Sequence, residues 1–263
     1  MTTWLLVAAA LITVGAAVRS TWSPCGLSML ATITPLSELG RGHRYRTTAA
    51  WFVVGGTLGG VTLGALVAVM AVGVHALHQT PREVSTIALG SSLVAVATDL
   101  GLRGFRLPVH HRQVNERWLD QFRPWVYGAG FGWQIGTGLA TYIVTTAVYL
   151  MVLLAALIGN PWLALALGAL FGLVRGLSVY LGRHSTSSEA LLRFHQRFSE
   201  LGPKVRQALI GLEVAVVALF AWTISPWTGL GWAAGALVWV AGARVRTHAT
   251  RGTGSMAPVP VRE

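Results

Sequence analysis

The feature that most constrains this chain is a series of long apolar segments separated by short polar links. About 20 apolar residues cross a bilayer as one helix, so a run of 18 or more indicates a span. Only 11% of the 263 residues are charged, about half the usual fraction in soluble proteins. Seven candidate spans follow: 4–34, 48–77, 84–102, 126–158, 160–181, 207–224 and 227–243. The sequence predicts an all-α, polytopic integral membrane bundle.

Basic residues indicate how the spans are oriented. Of the twenty Lys and Arg residues, seventeen lie in 35–47, 103–124, 182–206 and the tail after 243, which seven spans would place on one side. The positive-inside rule assigns that side to the cytoplasm. We therefore predict a multi-pass plasma-membrane protein with its N-terminus outside and its C-terminus in the cytoplasm. The net charge of +11 belongs to segments flanking the membrane, so the expected partner is the lipid bilayer and not nucleic acid.

Two further features refine this topology. Tryptophans lie near the predicted span ends, as in an aromatic belt: Trp4, Trp51, Trp125, Trp162, Trp222 and Trp227. Only Ser225-Pro226 separates the last two spans, so a re-entrant hairpin is the alternative there. Residues 1–246 are predicted to form one transmembrane domain, followed at 247–263 by a short disordered cytoplasmic tail.

The loop before the sixth span is predicted to contain an amphipathic helix. Thr186 and Glu189 have the spacing of a capping box. Apolar residues then recur at helical spacing, and Gly202-Pro203 supplies a stop signal. We interpret this segment as a helix lying on the inner leaflet, with a solvated connector as the alternative.

The spans also suggest an internal duplication. Residues 56–64 and 168–176 both have the pattern GxLxGxxxG, in the second and fifth spans. Many membrane carriers consist of two inverted repeats with an odd number of spans in each. We predict repeat one at about 4–102, repeat two at about 126–224, and an extra span at about 227–243. Chance similarity between glycine-rich helices is the alternative.

Ser23-Pro24-Cys25-Gly26 interrupts the first span. Proline lacks a backbone donor and clashes with the carbonyl of residue 20, so the helix should kink or break. A broken helix within the membrane must be shielded by protein or line a watery cavity. A helix beginning at Cys25 would stabilise a reactive thiolate there, whereas burial in lipid opposes it. The alternative is a small buried thiol beside an ordinary proline kink.

Two segments resemble a known family. Residues 15–27 (GAAVRSTWSPCGL) and 50–60 (AWFVVGGTLGG) are similar to the first two spans of the cytochrome-c biogenesis transmembrane family, the CcdA/DsbD group. Gly132-Trp133 matches a Gly-Trp in that family's fourth span, and the resemblance covers roughly residues 4–224. It implies an inverted-repeat helical fold that carries reducing equivalents from cytoplasmic thioredoxin to thiol acceptors outside.

The sequence departs from that family at one position. Members pair a first-span cysteine, matched by Cys25, with a fourth-span cysteine, which is here Gly136 or Thr137. Since the chain has no other cysteine, Cys25 would need the thiol of a partner, and the resemblance implies a thioredoxin-like protein. Thiol-redox transfer through Cys25 is the leading hypothesis. The alternatives are a small-solute or ion transporter on the same fold, or a non-catalytic subunit of a membrane complex.

Four charged residues fall inside predicted spans: Arg19, Asp99, Arg175 and Glu213. Such residues usually face a bundle interior or a pathway. Arg175 is expected to pair with Glu213 or Asp99, or the three form a proton-linked or anion-binding gate. Asp99 lies four residues before Arg103, which favours a local pair. Arg19 is placed in the outer part of the first span, where it either attracts an anionic substrate towards Cys25 or snorkels outward.

No motif for a cofactor is visible. The sequence lacks a phosphate loop, a dinucleotide fingerprint, an HExxH helix and a Ser-His-Asp arrangement. His75 and His78 share one helix face, but two histidines make an incomplete metal site. We therefore expect neither a cofactor nor a bound metal.

Overall fold

The computed structural model describes residues 2–102, 122–138 and 143–225, and these residues form helices and no strand. Nine α-helices occur in this part of the chain: α1 Thr2–Ser20, α2 Pro24–Thr32, α3 Pro35–Gly40, α4 Tyr45–Ala76, α5 Pro81–Leu100, α6 Pro124–Gly136, α7 Ala147–Leu157, α8 Pro161–Leu177 and α9 Ser188–Ile224. A 3-10 helix, Ser178–Gly182, continues α8. The expected all-α bundle is confirmed.

Local signals fix where many of these helices begin. Proline occupies the first turn of α2, α3, α5, α6 and α8, where its missing N–H costs nothing and its fixed φ suits the helix. Polar side chains cap four of these starts: Ser23, Thr34, Thr80 and Asn160. Thr80 and Glu83 form a complete capping box.

Five helices are long and apolar enough to cross a membrane: Thr3–Ser20, Tyr45–Ala76, Pro81–Leu100, Pro161–Gly182 and Ser188–Ile224. Large apolar side chains project from their outer faces; Val69 is 73% exposed and Leu66 is 60% exposed. A bare apolar surface of this kind is stable in lipid and not in water. The chain is therefore a multi-pass membrane protein.

The predicted spans and the observed helices differ in instructive ways. The second, third and fifth spans correspond to α4, α5 and α8. The first is divided into α1 and α2, and the fourth into α6 and α7. The seventh span at 227–243, Trp227 and the tail at 247–263 lie outside the described residues.

The prediction of a separate surface helix before the sixth span is wrong. Helix α9 runs without interruption from Ser188 to Ile224, through Gly202-Pro203, and Ser187 caps it instead of Thr186. A proline in a helix removes one ladder hydrogen bond. Nearby, the Phe198 carbonyl, five residues before the proline, accepts the indole N–H of Trp22 at 2.7 Å. The Trp22 and Phe198 rings also stack with centroids 4.2 Å apart, so tertiary contacts support the helix at its weak point.

The repeated glycines bring α4 and α8 into backbone contact. A Cβ at Gly172 would lie 2.7 Å from Gly60 Cα, and one at Gly168 would lie 2.4 Å from Gly64 Cα. A Cβ at Gly56 would lie 3.0 Å from Gly176 Cα. The first glycine of one pattern thus meets the last of the other, and the middle glycines meet each other. A two-fold axis between α4 and α8 would produce this pairing. The division of the chain into two inverted repeats of three spans remains a prediction.

The basic segments that the structure describes meet at one end of the bundle, which we call the basic end. The Leu36 amide donates to the Ser185 carbonyl, and the Tyr45 hydroxyl donates to the Val179 carbonyl. Arg206 Nη2 donates to the Asp99 carbonyl at 2.6 Å. The segregation of basic residues predicted from the sequence is therefore present, in the region the structure covers.

Candidate functional site

The first span is broken at the Ser-Pro-Cys segment. Helix α1 ends at Ser20, and α2 begins at Pro24. Ser23 Oγ accepts a hydrogen bond from the Gly26 amide at 3.2 Å, so the serine is the N-cap of the new helix. The expected break is therefore a stop followed by a capped restart, because proline ends one helix and suits the first turn of the next.

Gly26 allows the two halves to touch. A Cβ at this position would lie 2.2 Å from the Thr21 carbonyl oxygen, so the turn between the helices leaves no room for a side chain. Cys25, beside it, is 2% exposed and occupies the first turn of α2. Its thiol thus lies inside the protein near the positive end of a helix dipole.

A buried arginine lies against this break. Arg175 of α8 is 2% exposed, and its Nη2 donates to the Ser20 carbonyl oxygen at 3.4 Å. The same carbonyl also accepts the Ser23 amide at 3.1 Å, so Arg175 binds the turn that follows α1. Arg175 also interacts electrostatically with Cys25. The predicted pairing of Arg175 with Glu213 is wrong, since neither Glu213 oxygen has a hydrogen-bond partner among the described residues.

Phe171 connects the first break to the second. The Arg175 guanidinium lies 5.7 Å from the centroid of the Phe171 ring. A Cβ at Gly138, whose φ is +65°, would lie 2.7 Å from the same ring. Gly136 ends α6 and Thr137 caps it, so the fourth predicted span is interrupted at these two residues. The structure therefore gathers both breaks around the Phe171 and Arg175 side chains, a proximity the sequence did not reveal.

Two of the other intramembrane charges, Arg19 and Asp99, form a second group with Arg206 of α9, which we call the α1–α5 cluster. The Asp99 carboxylate accepts hydrogen bonds from the Thr145 hydroxyl and, at 2.8 Å, from the Thr146 amide. Arg19 interacts electrostatically with Asp99 and Arg206. Placing Arg19 in the outer part of the first span was wrong, because it lies towards the basic end. Arg103, the local partner predicted for Asp99, is outside the described residues.

The sequence did not indicate one buried hydrogen-bond network, which is centred on Glu38. Glu38 of α3 is fully buried, and Arg41 binds one of its oxygens at 3.2 Å. The Tyr127 hydroxyl lies 2.7 Å from Glu38 Oε2, and the Thr48 hydroxyl lies 2.5 Å from the same oxygen. This network joins α3, α4 and α6 at the basic end. The available signal was that Glu38 is the only acidic residue in the basic segment 35–47.

Fold and site together define a multi-pass helical membrane protein whose first and fourth spans are broken within a buried, arginine-containing core. A methylamine utilization protein MauF from Paracoccus denitrificans is 31% identical over 228 residues, which cover 82% of this chain and 78% of that protein. The MauF of Methylophilus methylotrophus is 28% identical over 205 residues, covering 76% of this chain and 70% of that protein. This chain belongs to the MauF family. No family model and no solved structure matches it.

The comparisons give the relatives as methylamine utilization proteins and not as members of the cytochrome-c biogenesis family that two segments resemble. The helical membrane character implied by that resemblance holds. The hypothesis of thiol transfer rested on that resemblance, and its support must now come from the geometry around Cys25.

Proposed function

We propose that this chain serves methylamine utilization from within the membrane and handles thiols through Cys25. The relatives' names supply the first part of the proposal. The observation that carries the second part is the position of the thiol, at the first turn of α2 and within electrostatic range of the buried Arg175. A cation and a helix N-terminus both stabilise a thiolate, which is the nucleophilic form of cysteine.

The proposed reaction is thiol–disulfide exchange. The Cys25 thiolate attacks a disulfide of the acceptor, forming a mixed disulfide and releasing one acceptor thiolate, which takes up a proton. A thiolate of a thioredoxin-like donor then attacks Cys25 Sγ and releases the second acceptor thiolate. The donor's other thiol closes its own disulfide and restores Cys25. Two electrons pass from the donor dithiol to the acceptor disulfide, and Cys25 ends unchanged.

The single cysteine and the fixed position of Arg175 both suit this exchange. Because the chain contains one cysteine, the attacking thiol and the resolving thiol must come from different proteins. Arg175 is held by the Ser20 carbonyl and by the Phe171 ring, so the position of its charge, which interacts with Cys25, is fixed. Such preorganised charge acts on the thiolate without rearrangement.

We further propose the orientation that the positive-inside rule gives, with the N-terminus outside and the basic end in the cytoplasm of the cell. The chain would then reach a cytoplasmic dithiol donor from the end where α2 and α3 lie. This assignment makes the plasma membrane the site of action.

Trapping experiments test the thiol role. The full-length protein in membranes is incubated with a thioredoxin-like protein whose resolving cysteine is removed and whose remaining cysteine carries thionitrobenzoate as a mixed disulfide, so that attack by the Cys25 thiolate releases thionitrobenzoate. The expected product is a mixed disulfide through Cys25. The control carries Cys25→Ser with Ser28→Cys, which moves the thiol one turn along α2, away from its N-terminus. Equal trapping of the control and the parent would remove the special role of this position.

Transport by the same fold is the second candidate, favoured by the buried carboxylate of Glu213. A transporter needs the break in the first span but not the thiol. Growth on methylamine separates the two functions in variants of the chromosomal gene. Cys25→Ser should abolish growth under the thiol proposal, whereas under transport Cys25→Ser should grow normally and Pro24→Ala should not.

A further inference from the structure

Glu213 is a carboxylate without a hydrogen-bond partner, in a place where the described residues offer it none. It lies in the membrane half of α9, its side chain is fully buried, and neither oxygen makes a hydrogen bond with the described residues. We propose that Glu213 is a proton-binding site, loaded from the basic end through the α1–α5 cluster. This inference is independent of the thiol proposal, because it uses none of the residues around Cys25.

Contacts along α9 fix the depth of this carboxylate. Arg206 donates to the Asp99 carbonyl near one end of α5, and Thr223 donates to Ser85 at 3.2 Å near the other. Helices α5 and α9 are therefore antiparallel, and Glu213 lies between these two contacts. Seven residues separate it from Arg206, which is about 10 Å along a helix. Glu213 is thus well inside the bundle.

At the depth of Glu213, the hydroxyl groups of α1 and α5 already donate hydrogen bonds within their own helices. On α1, the Thr13 hydroxyl donates to the Ala9 carbonyl at 2.7 Å. On α5, the Ser92 hydroxyl donates to the Ala88 carbonyl at 2.7 Å. Both residues are fully buried. Each hydroxyl uses its single proton within its own helix, so neither is a donor for a carboxylate at Glu213.

The charged neighbours favour a neutral carboxyl at Glu213. Burying an ionised carboxylate without compensating hydrogen bonds is very costly, and such a group binds a proton instead. Asp99 of α5 interacts electrostatically with Glu213, and a second negative charge nearby adds to that cost. The cations Arg19 and Arg206 are engaged with Asp99, by electrostatic attraction and by a hydrogen bond to its backbone respectively.

The α1–α5 cluster marks the change from exposed to buried side chains at the basic end. Arg206 is exposed, and Arg19 and Asp99 are half-buried. Asp99 binds its threonine partners with both oxygens and so stays fixed at the boundary between the exposed and the buried part. Its charge couples to the protonation of Glu213, since the two carboxyls interact. Removal of the Asp99 charge should therefore let Glu213 lose its proton at a lower pH.

Infrared spectroscopy of the full chain in lipid vesicles tests this proposal. Exposed carboxyls are ionised at neutral pH. A carbonyl stretch of a protonated carboxyl at that pH should therefore come from a buried residue, Glu38 or Glu213. We expect that it comes from Glu213, shifts in D₂O and disappears as the pH is raised. Glu213→Gln should lack the band, and the control Glu83→Gln, at an exposed capping position, should keep it. In Asp99→Asn, the Glu213 band should disappear at a lower pH than in the parent protein.

Three outcomes would overturn the proposal. One is the absence of a protonated carboxyl at neutral pH, and another is a band that Glu213→Gln retains. The third is a band that neither shifts in D₂O nor titrates, because a proton that never leaves does not make a binding site. If Glu213→Gln fails to fold, Glu213→Asp keeps the carboxyl, and a change in the band's frequency then assigns it.

Discussion

Replacing Gly60 by alanine tests the packing that holds α4 against α8. The added Cβ would lie 2.2 Å from the Gly168 carbonyl oxygen and 2.7 Å from Gly172 Cα. The first distance is about 1.2 Å shorter than ordinary van der Waals contact. Both neighbours are backbone atoms, so no side chain can rotate away and the two helices must separate. Overpacking of this kind costs about 1–3 kcal/mol.

Gly73→Ala is the matched control on the same helix. A Cβ there meets nothing within 4 Å, so only the helix propensity changes, in favour of alanine by up to about 1 kcal/mol. Both variants add one methyl group to α4, but Gly60→Ala should lower the free energy of unfolding and Gly73→Ala should not. Because both variants gain the same helix propensity, their free energies of unfolding should differ by the overpacking cost alone, about 1–3 kcal/mol.

The single buried cysteine provides the assay. A maleimide dye that fluoresces on reaction with a thiol reports unfolding, since Cys25 is 2% exposed and no other cysteine exists. Thermal unfolding in detergent should give a lower midpoint for Gly60→Ala than for the parent, and an equal or higher one for Gly73→Ala. Equal midpoints for the two variants would refute the close approach of α4 and α8.

Three further predictions concern other contacts. Trp22→Phe keeps the ring but loses the hydrogen bond to the Phe198 carbonyl, and the same dye assay should show a loss of about 1 kcal/mol. Glu38→Ala should cost about 3–5 kcal/mol and Tyr127→Phe less, because only the first leaves the buried network without its carboxylate; equal losses would contradict this. In a Cys25→Ser background, a cysteine replacing Arg193 should resist an impermeant thiol reagent in intact cells, and ready labelling from outside would reverse the proposed orientation.

The sequence alone determined the features that depend on neighbouring residues. The length of the apolar segments gave the membrane class, because span length is set by bilayer thickness. Pro24 and Ser23 gave the break in the first span, because proline and an N-cap act on their own helix turn. The repeated glycines at 56–64 and 168–176 marked the helices that pack most closely, although not which faces meet.

Tertiary structure decided the features that join distant parts of the chain. The stop signal at Gly202-Pro203 failed because Trp22, from the turn between α1 and α2, supports α9 there. Arg175 turned out to interact electrostatically with Cys25 and to make no hydrogen bond with Glu213, a choice that charge signs alone could not make. Helix boundaries follow from local propensity, whereas the partner of a buried charge depends on how the helices are rotated and packed. That rotation is set by contacts distributed over the whole bundle, so no single stretch of sequence encodes it.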